Sequence, residues 1–118
     1  MTQAFTTSAK PVTYYVDTPV IRQLCEVFGD YLQQLPKLEK FNILMVVGAI
    51  GSHDTDPRFE GMDYDVESAC TDHAIWIDFD DEYPIPLAQL LDQLSADELL
   101  GLCEFLTIDL RTTQSIER

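Results

Sequence analysis

Two periodicities run through this chain. Val20, Ile21, Leu24, Val27, Phe28, Tyr31, Leu32 and Leu35 recur at the i, i+3, i+4, i+7 spacing of an amphipathic helix. Thr18 can cap that helix, and Pro19 suits its first position, where the missing N–H is not needed. Pro36 ends or kinks it, and Gly29 inside it costs up to about 1 kcal/mol. Leu87, Leu90, Leu91 and Leu94 repeat the pattern over a short helix. Ser95-Ala96-Asp97-Glu98 is a capping box, with Ser at the cap and Glu three residues on. It opens a last helix striped by Leu99, Leu102, Cys103, Leu106 and Leu110. The second periodicity is two. Met62 to Glu67 alternates apolar and acidic residues. His73 to Asp80 alternates again, with Ile75, Ile77 and Phe79 on one side and Trp76, Asp78 and Asp80 on the other. Strict alternation predicts half-buried strands. With Ser68 to Asp72 as the turn, the two segments would form an antiparallel hairpin with one acidic and one apolar face.

The remaining segments connect these elements. Val12 to Val16 is β-branched and aromatic, which predicts a short strand. Lys37 to Gly51 fits a buried strand through Phe41, Ile43, Val46, Val47 and Ile50, or a helix through Leu38, Phe41, Leu44, Met45 and Gly48. Periodicity alone does not resolve so short an apolar run; Pro36 at a possible helix start and the length favour the helix. Gly51 to Gly61 has the Ser, Asp, Pro and Gly of a loop, and Asp81 to Pro86 is a connector fixed by two prolines. Residues 1–11 and 112–118 are expected to be loose termini of a single domain, 1–118. The fold class expected is α+β: a small antiparallel β-sheet bearing an acidic face, packed against three or four helices.

Charge changes this picture more than composition does. Apolar residues make up 46% of the 118, enough for a real core. Acids outnumber bases 21 to 7, for a net charge of -14. Between Asp54 and Glu82 stand Asp54, Asp56, Glu60, Asp63, Asp65, Glu67, Asp72, Asp78, Asp80, Asp81 and Glu82, against the single base Arg58. Acidic tails are poor in aromatics and stay disordered. This stretch instead carries Phe59, Met62, Tyr64, Trp76, Phe79 and Tyr83, enough to pin it to a core with carboxylates outward. Such a surface repels nucleic acid and anionic membrane and attracts basic proteins and cations. The seven bases are dispersed, so direct nucleic-acid binding is disfavoured. Three cysteines, Cys25, Cys70 and Cys103, without a CxxC motif suit free thiols in a reducing cytoplasm. The first residues lack the basic and apolar regions of a signal peptide, and the longest apolar run is too short to span a bilayer. A cytoplasmic protein is expected.

The acids could serve several chemistries. On paired strands Asp63, Asp65 and Glu67 would form one row and Asp78 and Asp80 another, about 4.8 Å away. Duplex DNA carries a negative charge about every 1.7 Å of its axis, and two rigid rows of carboxylates are a crude copy of it. A basic protein that holds DNA through phosphate contacts is the one most easily deceived. A calcium loop fits poorly, since Ser68 and Ala74 stand where an EF-hand starting at Asp63 needs Gly and Glu. Cys70-x-x-His73 supplies only two zinc-type ligands. His53 beside Asp54 lacks a placed nucleophile, and paired carboxylates without a cleft do not make a glycosidase. No enzyme activity, metal or cofactor is expected.

In size, charge and the acidic segments DYDVE and WIDFDDE, the chain resembles the small bacterial DNA-mimic proteins. These are diverse in fold, so the resemblance implies no architecture. It implies a monomeric inhibitor that occupies the DNA-binding surface of a basic partner, with an HU-like nucleoid protein favoured, and competes with DNA. Asp63, Asp65, Glu67, Asp78, Asp80, Asp81 and Glu82 are the acids our own reading puts at the centre of that surface, flanked by Asp54, Asp56, Glu60 and Asp72. The alternatives are an immunity protein that plugs the basic active site of a nuclease, with Trp76 or Tyr83 as hot spots, and a divalent-cation-binding protein.

Overall fold

Gly29 decides where the first long helix stops. α1 (Val12–Tyr15) is a single turn, and α2 (Pro19–Phe28) starts on Thr18, whose hydroxyl accepts the Ile21 N–H at 3.1 Å. Pro19 takes the first helical position, as its fixed φ suggests. At Gly29 the backbone turns to φ 97° and ψ 159°, a region open to glycine almost alone. The chain then descends through tight turns, with the Leu32 N–H on the Gly29 carbonyl and the Leu35 N–H on that of Leu32. Leu32 and Leu35 still reach the core. The apolar stripe expected of one helix from Pro19 to Leu35 is therefore supplied by ten helical residues and a run of turns, except for Tyr31, which the turns leave exposed.

The fold is that of a computed structural model and is described for residues 10–78 and 82–112. α3 (Lys37–Thr55), α4 (Val66–His73), α5 (Leu87–Asp92) and α6 (Ala96–Thr112) follow, with one 3-10 turn at Pro57–Phe59. Every regular element among the described residues is helical. The expected antiparallel sheet is absent there, and the α+β class gives way to an all-helical one. Val12 to Val16 is not a strand, because no neighbour offers a ladder. Pro11 leads into a turn, the Val12 N–H bonds the Asp30 carbonyl at 3.0 Å, and Val12 and Val16 are buried. β-propensity yields to burial here.

The hairpin fails for a local reason. Asp65 is an N-cap: its Oδ1 accepts the Ser68 N–H at 2.8 Å. Asp92 Oδ1 accepts the Val66 N–H at 2.8 Å. The first turn of α4 is thus supplied with acceptors, and Ser68 to Asp72, expected as a turn, is helix. Val66 and Ala69, three apart, face the core. Ala74 ends α4 in the left-handed conformation, φ 54°, and Ile75 to Asp78 continues without regular structure. Phe79, Asp80 and Asp81 lie outside the described residues, as do 1–9 and 113–118 of the termini. Lys37 to Gly51 is helical, and α3 runs on to Thr55 through part of the expected loop. Ser95 and Glu98 form the capping box in both directions, at 3.1 and 2.8 Å.

α3 and α6 pack together, and Ile43, Val46 and Val47 of the first and Leu102, Phe105 and Leu106 of the second are buried in the core. α1 and α2 close one flank; α4 lies on α3 and is backed by α5. Gly101 lets α6 pass over α1: a Cβ there would sit 3.1 Å from the Tyr15 carbonyl oxygen. No helix among the described residues is long and apolar enough to cross a membrane. Gly29→Ala meets both a forbidden backbone region and the Gln33 side chain, which fills the place an added methyl would take. It is expected to lower the unfolding free energy by about 1–3 kcal/mol, read by denaturant titration.

Candidate interaction surface

Helix α3 ends in a stack of rings. His53 lies near-parallel between Phe59, centroids 4.5 Å apart and planes at 11°, and Tyr64, at 4.0 Å and 6°. The 3-10 turn that brings Phe59 up is capped by Asp56, which accepts the Arg58 N–H at 3.0 Å. Tyr64 precedes the Asp65 cap and points its hydroxyl at Asp72, donating to Oδ2 at 2.8 Å. Partial burial, and then the Asp72 carboxylate, push the Tyr64 phenol above its ordinary range. His53 Nδ1 is buried without a hydrogen bond, 3.6 Å from Asp54 Oδ1.

Around this stack opens a hollow of about 530 Å³. Asp63, Asp65, Glu67 and Asp72 line it, together with Met62, Ser68, Thr71 and the three rings. All four acids are exposed. Ser68, through its N–H first, holds the Asp65 carboxyl below the usual carboxylate range, so it stays ionised. Asp54 and Glu60 are exposed on the flanks, and Glu82 is exposed beyond them. The one base of the stretch is consumed nearby: Arg58 binds Asp56 with Nη2 to Oδ2 at 2.7 Å and lowers that carboxyl. Among the described residues no lysine or arginine pairs with Glu60, Asp63, Asp65, Glu67 or Asp72.

The expected rows of carboxylates are therefore replaced by four acids lining one hollow. Asp63 and Asp65 are not stacked on a strand, and Glu67 follows them from a helix. Asp78 does not belong to the outward set. Its φ is 59°, its N–H donates to Glu39 Oε2 at 2.9 Å, and its own Oδ1 accepts the Tyr83 N–H at 3.2 Å. Asp80 and Asp81 fall outside the described residues.

Comparison with protein-family models, curated proteins and solved structures returns no match to this chain. The functional reading rests on the residues themselves. Among the described residues no three His, Cys, Asp or Glu side chains converge to hold a metal ion. The three free thiols are pushed up by burial, Cys103 to about 11, which keeps them protonated near neutrality.

A second set of residues has no counterpart in the sequence expectations. Glu39 is buried in the first turn of α3. Besides the Asp78 N–H, its Oε2 accepts the Tyr83 hydroxyl at 3.1 Å, and its Oε1 lies 3.4 Å from Asn42 Nδ2. Asn42 Nδ2 also donates to the Trp76 carbonyl at 3.0 Å. These two side chains fix the chain around Trp76 and Tyr83 to α3. The sequence signal is slight: an acid and an amide three residues apart, at the start of a helix whose middle is apolar. Tyr83 is thereby turned inward, its ring edge-on to Phe28 at 5.0 Å. It is half-buried rather than a surface hot spot, while Trp76 is 66% exposed.

Two outcomes test this arrangement. Glu39→Ala strands the Asp78 N–H and the Tyr83 hydroxyl, and is expected to cost about 2–3 kcal/mol, with a shift in fluorescence from the single tryptophan. Burial, and then the nearby Glu39 carboxylate, raise the Tyr83 phenol well above its ordinary value. Above about pH 10, where an unfolded tyrosine ionises, the folded protein holds the extra proton, so stability falls as pH rises. Tyr83→Phe should flatten that alkaline decline in a pH series of thermal unfolding.

Proposed function

We propose that this protein is a non-enzymatic binder of a basic protein, occupying a DNA-binding surface and competing with DNA. The observation that supports this most is the set Asp63, Asp65, Glu67 and Asp72 around one hollow, paired with no base among the described residues, with Asp65 fixed by its cap bond to the Ser68 N–H and Asp72 by the Tyr64 hydroxyl. A fixed cluster of carboxylates offers Lys and Arg side chains what phosphates offer. The bases gain ionic partners as counterions are released, so binding falls steeply with salt. Partners that grip DNA by its backbone would be the most susceptible. An HU-like nucleoid protein is the favoured partner on the resemblance to DNA mimics.

The concentration of charge at one hollow, rather than along two rows, also favours a second reading: an immunity-type plug of a nuclease's basic active site. There one or two side chains would dominate the binding energy. Charge-neutralising scans separate the two. Many small, additive losses across Asp54, Glu60, Asp63, Glu67 and Asp72 fit a mimic; one or two dominant losses fit a plug.

Affinity capture from a bacterial lysate at low and high salt tests the shared claim. Basic DNA-binding proteins should be retained, elute as salt rises and be displaced by duplex DNA. Retention of neutral or acidic partners only, indifferent to DNA, would refute it.

A further inference from the structure

The acid-lined hollow does not stand alone on α3. Leu38, Asn42, Met45, Ala49 and His53 follow one another at spacings of four, three, four and four residues. At 3.6 residues per turn these positions share one side of the helix, over about 22 Å of its length. The first four line a groove of about 790 Å³ whose opposite wall is His73 to Trp76. The fifth lines the hollow. α4 separates the two depressions: Thr71 and Asp72 face the hollow, His73 and Ala74 the groove. The groove is markedly apolar. Leu38 is 72% exposed, Met45 51% and Trp76 66%, and these large apolar side chains sit together rather than scattered singly over the surface.

We infer that this stripe is a docking track for an amphipathic helix of the basic partner, apolar along the groove and cationic where it reaches the hollow. The inference rests on the proposed function and adds to it a helical, partly apolar partner segment. Helices lie on helices by seating side chains in the grooves between ridges, and an apolar stripe read at i, i+3, i+4 and i+7 is how grooves take partner helices. Charge chooses the partner. A second copy of this chain would bring its own net charge of -14 against the first. A segment with Lys or Arg at one end finds the carboxylates of Asp63, Glu67 and Asp72, unmatched by any base among the described residues, next to the apolar track. A purely electrostatic mimic has no use for Leu38 and Met45 in the open; a track for an amphipathic helix does.

The test uses the full chain and three synthetic probes. One is a helical peptide of about four turns, with leucines at i, i+4 and i+7 and lysines in its last turns. The others are a scramble of the same composition and an oligolysine of the same charge. The patterned peptide should bind about tenfold tighter than the scramble, the change that about 1.4 kcal/mol produces. The double variant Leu38→Ser/Met45→Ser should abolish that advantage and leave oligolysine binding unchanged. Asp63→Asn/Glu67→Gln should weaken all three probes. Both positions of the first variant are exposed, and thermal unfolding verifies that the fold persists. Equal binding of patterned and scrambled peptides, or a groove variant without effect, overturns the docking track while oligolysine binding leaves the acidic reading standing. Failure of oligolysine as well removes both. A concentration-dependent rise in sedimenting mass that Met45→Lys abolishes would give the groove to a second copy and overturn the inference.

Discussion

The Glu39 carboxylate is the joint on which the functional face depends. It is an acid in the first turn of a central helix, and it is buried. A buried carboxylate is tolerable only when donors replace the water it has lost. Here the donors come from the Asp78 backbone and the Tyr83 hydroxyl, with Asn42 beside them. The requirement runs both ways. The segment from Ile75 to Asp78 has no helix or strand of its own, and its polar backbone finds acceptors and donors on α3 instead. Through that exchange Trp76 is set against the groove, Tyr83 is drawn onto Phe28, and Asp78 turns away from solvent.

α3 can do this because it is not an ordinary amphipathic helix. It meets α6 on one side and α4 on another, and it carries apolar residues on nearly every side. A helix that is hydrophobic all round is normally enclosed. α3 is open to solvent at Lys37, Leu38, Met45 and Gly48 and over much of its last turns, and Leu38 and Met45 are the large apolar side chains it exposes. Its register against α6 is fixed by a charged pair, Lys40 Nζ to Asp109 Oδ2 at 2.8 Å, with the two side chains 7% and 14% exposed. Such a pair adds little net stability against an apolar substitute. It does penalise any sliding of α3 that would strand one charge, and sliding would also move the stripe.

The helices are legible in the sequence because their signals are local and agree with one another. Thr18-Pro19, the Ser95–Glu98 box and the leucine spacings each state a start or a face, and the packing has no reason to override them. The strand expectation fails because a period of two over six residues is short enough to be imitated. Asp65-Val66-Glu67-Ser68 alternates, yet the same Asp65 serves as a cap and the same Val66 opens a helical stripe with Ala69. The acids around the hollow are legible as a set but not as a shape. Asp63, Asp65, Glu67 and Asp72 meet there. Asp78 does not, because its backbone is claimed by Glu39, a charged residue that local pattern alone would leave on the surface. Buried polar partners of that kind act across 39 and 44 residues of chain, and no local pattern announces them.

What makes the acidic face a distinct object is the fate of the bases. Arg22 is held by Asp17, Lys40 by Asp109 and Arg58 by Asp56. Lys10 lies 5.2 Å from the Tyr14 ring centroid. Several of the few positive charges are thus committed to single acids or to a ring, and Arg58, the base beside the hollow, is spent on Asp56 and lies 5.6 Å from the Phe59 ring centroid. Of the hollow's four carboxylates, Asp65 is held by the Ser68 N–H and Asp72 by the Tyr64 hydroxyl. In the reading we propose, an incoming cation would relieve the repulsion among them, with Asp65 and Asp72 already oriented to meet it. Charge alone would make the relief available to any polycation. In the docking we propose, the apolar stripe beginning at Ala49 and running back to Leu38 is what would tell one basic protein from another, because it would favour a partner only when apolar side chains arrive in the right order beside the charge.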